Sequence, residues 1–469
     1  MSTRPRRRRL VPAAAASALL ATALTVPMPA SADEGFTPIV FVHGGAGSGA
    51  QYESQAGRFD SNGYPAEYIH AFEYDSSFSI NSFTDVINGL DALVDEVRAE
   101  FGADQVYLIG HSLGTFVSGL YLGDPAREDK IGKYIGIDGG SNPTCGVADP
   151  DLDCMGIWQG TNTTGNVGGN NVRLSPQTHV QVATSAESFA AQYEFFTGEA
   201  PDTTLVLPEP PGQVKISGRA VEFPLNIGTP GAVLQIWEIN ADTGQRKSQR
   251  PKHEIELADD GSFGPVKLHG KKHYEFVVLR DGFGSHHFYF EKFFRSSHFV
   301  RMNLAPPGSA IVANSHLSDN HTAAVVVRQK EWWTTHSSGM NDVLEISTSS
   351  PSRGDHDAGN VFTNVTSNGV IGVHVHDAAA TPGDSTLDLL PFFPTQAFQT
   401  GVDVFMPAEG SAAGTVSFVN THRGDADHVL TINTPNWPSD TDRVTVTFND
   451  FVQDIDDWGE CKRAKPSPC

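Results

Sequence analysis

Residues 106–122, Val-Tyr-Leu-Ile-Gly-His-Ser-Leu-Gly-Thr-Phe-Val-Ser-Gly-Leu-Tyr-Leu, decide how the chain is read. Val106–Ile109 is a short apolar run of strand character, and Leu113–Leu122 has helical spacing closed by Gly123-Asp124-Pro125. Between them stands Gly110-His111-Ser112-Leu113-Gly114, a G-x-S-x-G sequence. Alone, such a pattern is weak. Between a strand and a helix it predicts a tight turn that lifts the Ser112 hydroxyl above a sheet edge, with a helix N-terminus behind it that favours negative charge.

Outward from this turn, strands alternate with helices from Thr37 to about Gly198. Ile39–Val42 is a buried strand ending in His43-Gly44-Gly45, and Tyr68–Tyr74 is a weaker one. Phe83, Val86, Ile87, Leu90, Leu93, Val94, Val97 and Phe101 recur at helical spacing, with Ser82 as N-cap and Gly102 as C-cap. Strand Tyr134–Ile137 follows, and a last helix runs from Ala186 to Thr197 between Ser185 and Gly198. This alternation predicts an α/β domain with a mostly parallel, doubly wound sheet over residues 33–204. Beyond a Pro-rich linker (Pro201, Pro208, Pro210, Pro211) no helical period persists. Short β-type runs at 213–219, 233–239, 274–279, 323–328, 370–375, 414–419 and 443–448 predict an all-β sandwich or barrel over 205–469. A break at Ala305-Pro306-Pro307-Gly308 is compatible with two modules, about 212–304 and 305–469.

Composition narrows the function. The 469 residues include 46 Gly, 29 Pro and a net charge of −23, which disfavours nucleic acid and charge-driven docking to anionic membranes as partners. Residues 1–32 read as a secretory signal: Arg4 and Arg6–Arg9, an Ala-rich apolar stretch, then Ala30-Ser31-Ala32. Its removal takes away five arginines and leaves −28. No later apolar stretch is long enough to span a bilayer, so an exported, extracellular protein without stable membrane insertion is expected. Four cysteines agree with export and allow three pairings. The local pairs Cys145–Cys154 and Cys461–Cys469 are the economical ones, each closing a loop of about ten residues for roughly 2–3 kcal/mol.

A serine hydroxyl needs a base. His179 is the sole histidine between His111 and His253, and its loop precedes the last helix. The acid is expected between serine and base. Asp138 ends an apolar strand and precedes Gly139-Gly140, at the sheet edge where catalytic groups gather; Asp149–Asp153 is the competing segment. His43-Gly44-Gly45-Ala46-Gly47 can offer the Gly45 N–H to an oxyanion, with Leu113 N–H as the second donor, and His43 itself reads as structural. The segment Gly139–Asn171 passes near the site, and within it Met155, Ile157 and Trp158 are expected as a substrate wall or lid, with a stapled surface loop as the bland alternative. Fourteen of the eighteen histidines fall in the β half, but His286-His287 and His374-Val375-His376 lack Cys or carboxylate partners at ligand spacing, so no metal and no cofactor is expected.

The segments FVHGGAG (41–47), GHSLG (110–114), YIGIDGGSNP (134–143) and THVQVATSAESFAAQYEFFTG (178–198) resemble secreted bacterial and archaeal serine lipases of the α/β-hydrolase superfamily. The likeness is nearest to archaeal-type lipases that join a small hydrolase domain to a C-terminal all-β lipid-binding domain. The stretch HFYFEKFFRSSHFVRMNL (287–304) extends it more loosely. The resemblance implies Ser112 as nucleophile, Asp138 as acid, His179 as base and the Gly45 and Leu113 N–H groups as oxyanion hole. A lipid or other carboxylic ester is then the expected substrate. A polyester depolymerase with the same residues is one alternative. An adhesion or carbohydrate-binding protein with secondary esterase activity is another.

Overall fold

The computed structural model describes residues 35–449 apart from 143, 147–150, 336–340 and 424. Residues 1–32, Asp149, Cys461 and Cys469 lie outside the described residues, and with them the signal reading and one expected disulfide. Among the described residues no helix is long and apolar enough to cross a membrane.

The first domain is α/β. Strands β1 (Ile39–Val42), β2 (Ile69–Phe72), β3 (Val106–His111), β4 (Ile131–Ile137), β5 (Asp153–Gln159) and β6 (Asn170–Leu174) form a parallel sheet in the order β2-β1-β3-β4-β5-β6. The helices are α1 (Glu53–Ser61), α2 (Phe83–Phe101), α3 (Leu113–Tyr121), α4 (Pro125–Glu128), α5 (Gln181–Thr184) and α6 (Ala186–Thr197). Helix α2 forms where its apolar spacing demands: Val86, Ile87, Leu90, Val94, Val97 and Phe101 are buried, each contributing roughly 1.5–3 kcal/mol. A reciprocal Ser82–Asp85 capping box opens it, and Gly102 in the left-handed region closes it. Strand order reverses between β1 and β3, so the crevice beyond their carboxyl ends is where a ligand site is expected.

Strands β5 and β6 were not expected from the sequence. Their segment reads as a Gly/Asn/Thr-rich loop, yet Cys154–Trp158 is buried throughout. This corrects the reading of Met155, Ile157 and Trp158 as a substrate wall or lid: their exposures are 3%, 0% and 0%, because β5 is an inner strand paired on both sides. Trp158 donates its indole N–H to Asn171 Oδ1 at 2.8 Å within the same layer. Cys145 and Cys154 form a disulfide at the start of this strand.

The remaining strands are β7 (Lys215–Glu222), β8 (Ile227–Gly228), β9 (Val233–Ile239), β10 (His253–Glu256), β11 (Ser262–Lys267), β12 (His273–Leu279), β13 (Ser285–Phe290) and β14 (Ser297–Leu304). After the short helix α7 (Ala310–Asn314) come β15 (Ala324–Thr334), β16 (Val343–Ser350), β17 (Gly354–Asn360), β18 (Ser367–His376), β19 (Gln399–Asp403), β20 (Thr415–His422), β21 (Asp425–Pro435) and β22 (Asp442–Phe448). Two small sheets, β11-β7-β14 and β17-β16-β20-β21, each pack on part of one eight-stranded sheet, β10-β9-β12-β13-β22-β15-β18-β19. The two β units have largely separate cores, as the break at 305–308 suggests, but they share this sheet through parallel pairing of β13 with β22.

The period of two along a strand decides what the β half offers the first domain. On β14, Val300, Met302 and Leu304 enter the sandwich core, whereas Phe299 joins the core of the α/β domain and Arg301 reaches Glu73 at 2.5 Å. Arg301 and Glu73 are both almost fully buried, and Glu73 also accepts the Gly49 N–H at 2.9 Å. Removing one partner of a buried pair leaves the other charge uncompensated. Arg301→Met is therefore expected to lower the unfolding free energy by about 3–5 kcal/mol, read by urea titration; a loss under about 1 kcal/mol would contradict the assignment.

Candidate active site

Ser112 is the hinge of the turn between β3 and α3. Its φ of 53° is a left-handed conformation for a non-glycine residue, of order 1–3 kcal/mol in cost, and it points the side chain out of the sheet edge. The two glycines of the pattern are there for close approach. A Cβ on Gly114 would lie 2.2 Å from the Val42 carbonyl oxygen, and one on Gly110 would lie 2.7 Å from the Gly114 carbonyl oxygen. Without side chains at both positions α3 can lie directly on β1 and β3.

The structure brings together the three residues singled out in the sequence. His179 Nε2 lies 2.9 Å from Ser112 Oγ, and His179 Nδ1 lies 2.6 Å from Asp138 Oδ2. Asp138 follows β4, also with a positive φ (41°), and is 5% exposed. Burial pushes its carboxyl pKa upward. The hydrogen bond and charge of His179, with donors from Asn162 Nδ2 and the Gln159 N–H, outweigh this and hold it below the usual range. Asp153, in the competing segment, pairs instead with Lys133 at 3.9 Å. In this chain an imidazole N–H faces a carboxylate on one side and a hydroxyl on the other, so the hydroxyl proton can pass to Nε2 while the resulting imidazolium is stabilised.

The glycine-rich turn after β1 lies against Ser112: a Cβ on Gly44 would sit 3.0 Å from Ser112 Cβ, and one on Gly45 3.7 Å from Leu113 Cδ2. Leu113 opens α3, so its N–H has no acceptor within that helix. His43 is fully buried and stacked on Tyr74 with centroids 4.3 Å apart, in keeping with a structural role. Asn226, from the loop before β8, reaches into the same turn and donates to the Gly47 and Tyr74 carbonyls at 2.9 and 3.0 Å.

His111 has a part that its place in the motif did not disclose. Its Nε2 donates to the His179 carbonyl oxygen at 2.9 Å, while Gln51 Nε2 donates to its Nδ1 at 2.6 Å. Burial, then the neighbouring His179, push its pKa down to about 3, so it stays a neutral, fixed donor.

Ser112 opens into a cleft that no sequence segment announced. Its far wall is the second face of the eight-stranded sheet: Phe288, Val325, Val327, Ile371, Thr445 and Thr447. Neighbouring residues Val326, Val373, Val444 and Val446 point the other way, into the sandwich core. Phe398 lines the cleft with its ring parallel to the His179 imidazole, centroids 6.2 Å apart. Met155, Ile157 and Trp158 are not among the residues lining this cleft.

A family model described as the α/β hydrolase fold matches residues 37–153. The first domain has the α/β-hydrolase fold. Residues 212–307 match a lipase C-terminal domain, and residues 310–452 match a further model described as a C-terminal domain. An α/β-hydrolase domain is thus followed by a large all-β C-terminal region, part of which matches a lipase C-terminal domain. No curated relative matches the chain. Among solved structures, Aspergillus fumigatus lipase B is similar at 13% identity over 37% of this chain and 55% of that one, with a TM-score of 0.29. Bacillus licheniformis lipase BlEst2 in propeptide form is similar at 12% identity over 86% and 93%, with a TM-score of 0.26. The epoxide hydrolase VrEH1 from Vigna radiata is similar at 22% over 24% and 36%, with a TM-score of 0.17. The chain thus spans about half the length of the Aspergillus lipase.

The depressed Asp138 pKa has a pH signature. A carboxylate whose folded pKa lies below its unfolded value near 3.8 adds stability above that value and loses it as pH falls through the folded pKa. The stability difference between wild type and Asp138→Asn should stay level above about pH 5 and shrink below about pH 4. A difference that does not change with pH down to about 3 would contradict the coupling.

Proposed function

We infer that the protein is an exported serine carboxylic-ester hydrolase, most simply a triacylglycerol lipase or long-chain carboxylesterase. The observation that carries the reading is the Ser112–His179–Asp138 chain of hydrogen bonds at the mouth of a mainly apolar cleft. In this reading Ser112 Oγ attacks the ester carbonyl carbon as His179 Nε2 takes its proton. The carbonyl oxygen gains negative charge, which the Gly45 and Leu113 N–H groups hold, about 3 kcal/mol for each donor. Asp138 keeps Nδ1 protonated and stabilises the imidazolium. The tetrahedral intermediate collapses, the alcohol leaves with the proton from His179, and an acyl-Ser112 ester remains. Water, deprotonated by His179, then releases the acid and restores the serine.

The wall of Phe288, Val325, Val327, Ile371 and Phe398 favours an aliphatic acyl chain over a charged one, since each methylene buried is worth about 0.8 kcal/mol. The lipase C-terminal match and the Cys145–Cys154 disulfide are in accord with a lipolytic enzyme made in an oxidising compartment.

A profile of ester chain length from acetyl to oleoyl, with emulsified triolein, tests this reading. Long-chain activity is expected, falling at least about 10⁴-fold in Ser112→Ala with the fold intact. Turnover unchanged in that variant would remove the mechanism. Val327→Trp, which narrows the cleft, should lower the ratio of long- to short-chain kcat/KM by about tenfold or more; an unchanged ratio would take the acyl chain out of this cleft.

A further inference from the structure

The loop that carries His179 has no cap of its own. Helix α5 begins directly after it, and the N-cap residue is Val180, whose side chain cannot accept a hydrogen bond. The acceptor comes from strand β15, in the last β unit. Glu331 accepts the Val180 N–H on Oε1 at 2.6 Å and the Gln181 N–H on Oε2 at 3.1 Å, and its Oε2 also accepts the Thr178 hydroxyl. Glu331 is 1% exposed. The residues on either side of His179 are thus both bound to one buried carboxylate about 150 positions away in sequence.

The strand is shaped for this. Pairing of β15 with β18 is regular from Ala324 to Val327 and resumes at Trp332, and pairing with β22 stops at Arg328. On the β18 side, residues 328–331 bulge out of the ladder between these points, a device that re-aims side chains beside functional sites. Arg423 steadies the same contact: one guanidinium nitrogen donates to the Glu331 carbonyl at 2.8 Å and to Asp342 at 2.6 Å, and the other to Gln181 Oε1 at 3.0 Å. His111, next to Ser112, donates to the His179 carbonyl as well.

We propose that Glu331 is a positioning residue that holds the His179 imidazole in register with Ser112, making the last β unit part of the catalytic apparatus. It acts through the backbone of Thr178, Val180 and Gln181 and touches no substrate. A displacement of the base by about 1 Å is enough to cost roughly 10²-fold in rate.

The inference rests on His179 being the base of an ester hydrolase. The test pairs steady-state kinetics on a short, soluble p-nitrophenyl ester with the downfield proton resonance of the His179–Asp138 hydrogen bond, assigned by its loss in His179→Ala. In Glu331→Gln the amide NH₂ faces N–H donors. The expected result is a fall in kcat of about 10- to 100-fold with KM changed less than about 2-fold. The acid limb of the pH profile should move by more than about 0.5 unit, and the downfield resonance should shift or broaden. Glu331→Gln that melts at lower temperature but keeps the wild-type kcat, pH limb and resonance would overturn the proposal. Should that variant fail to fold, Thr178→Val removes one of the same contacts and must lower kcat and move the resonance; wild-type values there overturn it equally. If the native protein hydrolyses no ester at all, the resonance still reads whether Glu331 sets the imidazole, so loss of the functional reading and loss of this proposal are told apart.

Discussion

The parallel pairing of Ser285–Phe290 with Asp442–Phe448 fuses two β units into one eight-stranded sheet, and most of the site depends on it. A sheet has two faces, and here both are used. The face that carries Tyr289, Val326, Val373, Val444 and Val446 packs on β17-β16-β20-β21 as ordinary sandwich core. The other is divided: β11-β7-β14 packs on its β9-β12-β13 part, and from Phe288 across β22, β15 and β18 it forms the far wall of the cleft in front of Ser112. Because side chains alternate along each strand, a single set of strands builds a core and a binding surface together. The β half is therefore a structural part of the cleft rather than an appendage on a linker.

The contacts between the halves reinforce this. Arg301 enters a buried ion pair under the turn between β1 and α1, Asn226 fastens the glycine-rich turn and Glu331 fastens the His179 loop. Each satisfies polar groups of the α/β domain that would otherwise be buried without partners, which costs more than the bond itself contributes. The strain held at Ser112 and Asp138, both with positive φ, is offset by a surround that leaves those residues little alternative. A small α/β domain that borrows its supports from another unit can keep a short chain of its own and still fix Ser112, His179 and Asp138 in one chain of hydrogen bonds.

Legibility in the sequence followed the range of the interactions. Helix α2 was readable to its caps because its apolar spacing, Ser82 and Gly102 are local signals. The turn at Ser112 was readable because Gly110 and Gly114 sit where backbone must approach backbone. Asp138 and His179 followed from the logic of strand ends and from a count of histidines. The Gly- and Asn-rich composition around strands β5 and β6 hides them, so Met155, Ile157 and Trp158 read as the wall of a site although they fill an inner strand. The cleft, Glu331 and Asn226 were not legible at all. Their roles arise from pairings between residues more than a hundred positions apart, and no local pattern encodes which strand of a β sandwich will face a neighbouring domain.

The central claim is that Ser112 is an activated nucleophile facing a cleft walled by the β half. Covalent titration with p-nitrophenyl phosphonate esters of increasing alkyl length, followed by mass spectrometry of the intact protein and its peptides, tests it most directly. The account predicts one phosphonyl group per chain, on Ser112, with a labelling rate that rises with alkyl length and loses that rise when the cleft wall is filled at Val327. Labelling at another residue, no labelling, or a rate indifferent to alkyl length would contradict it.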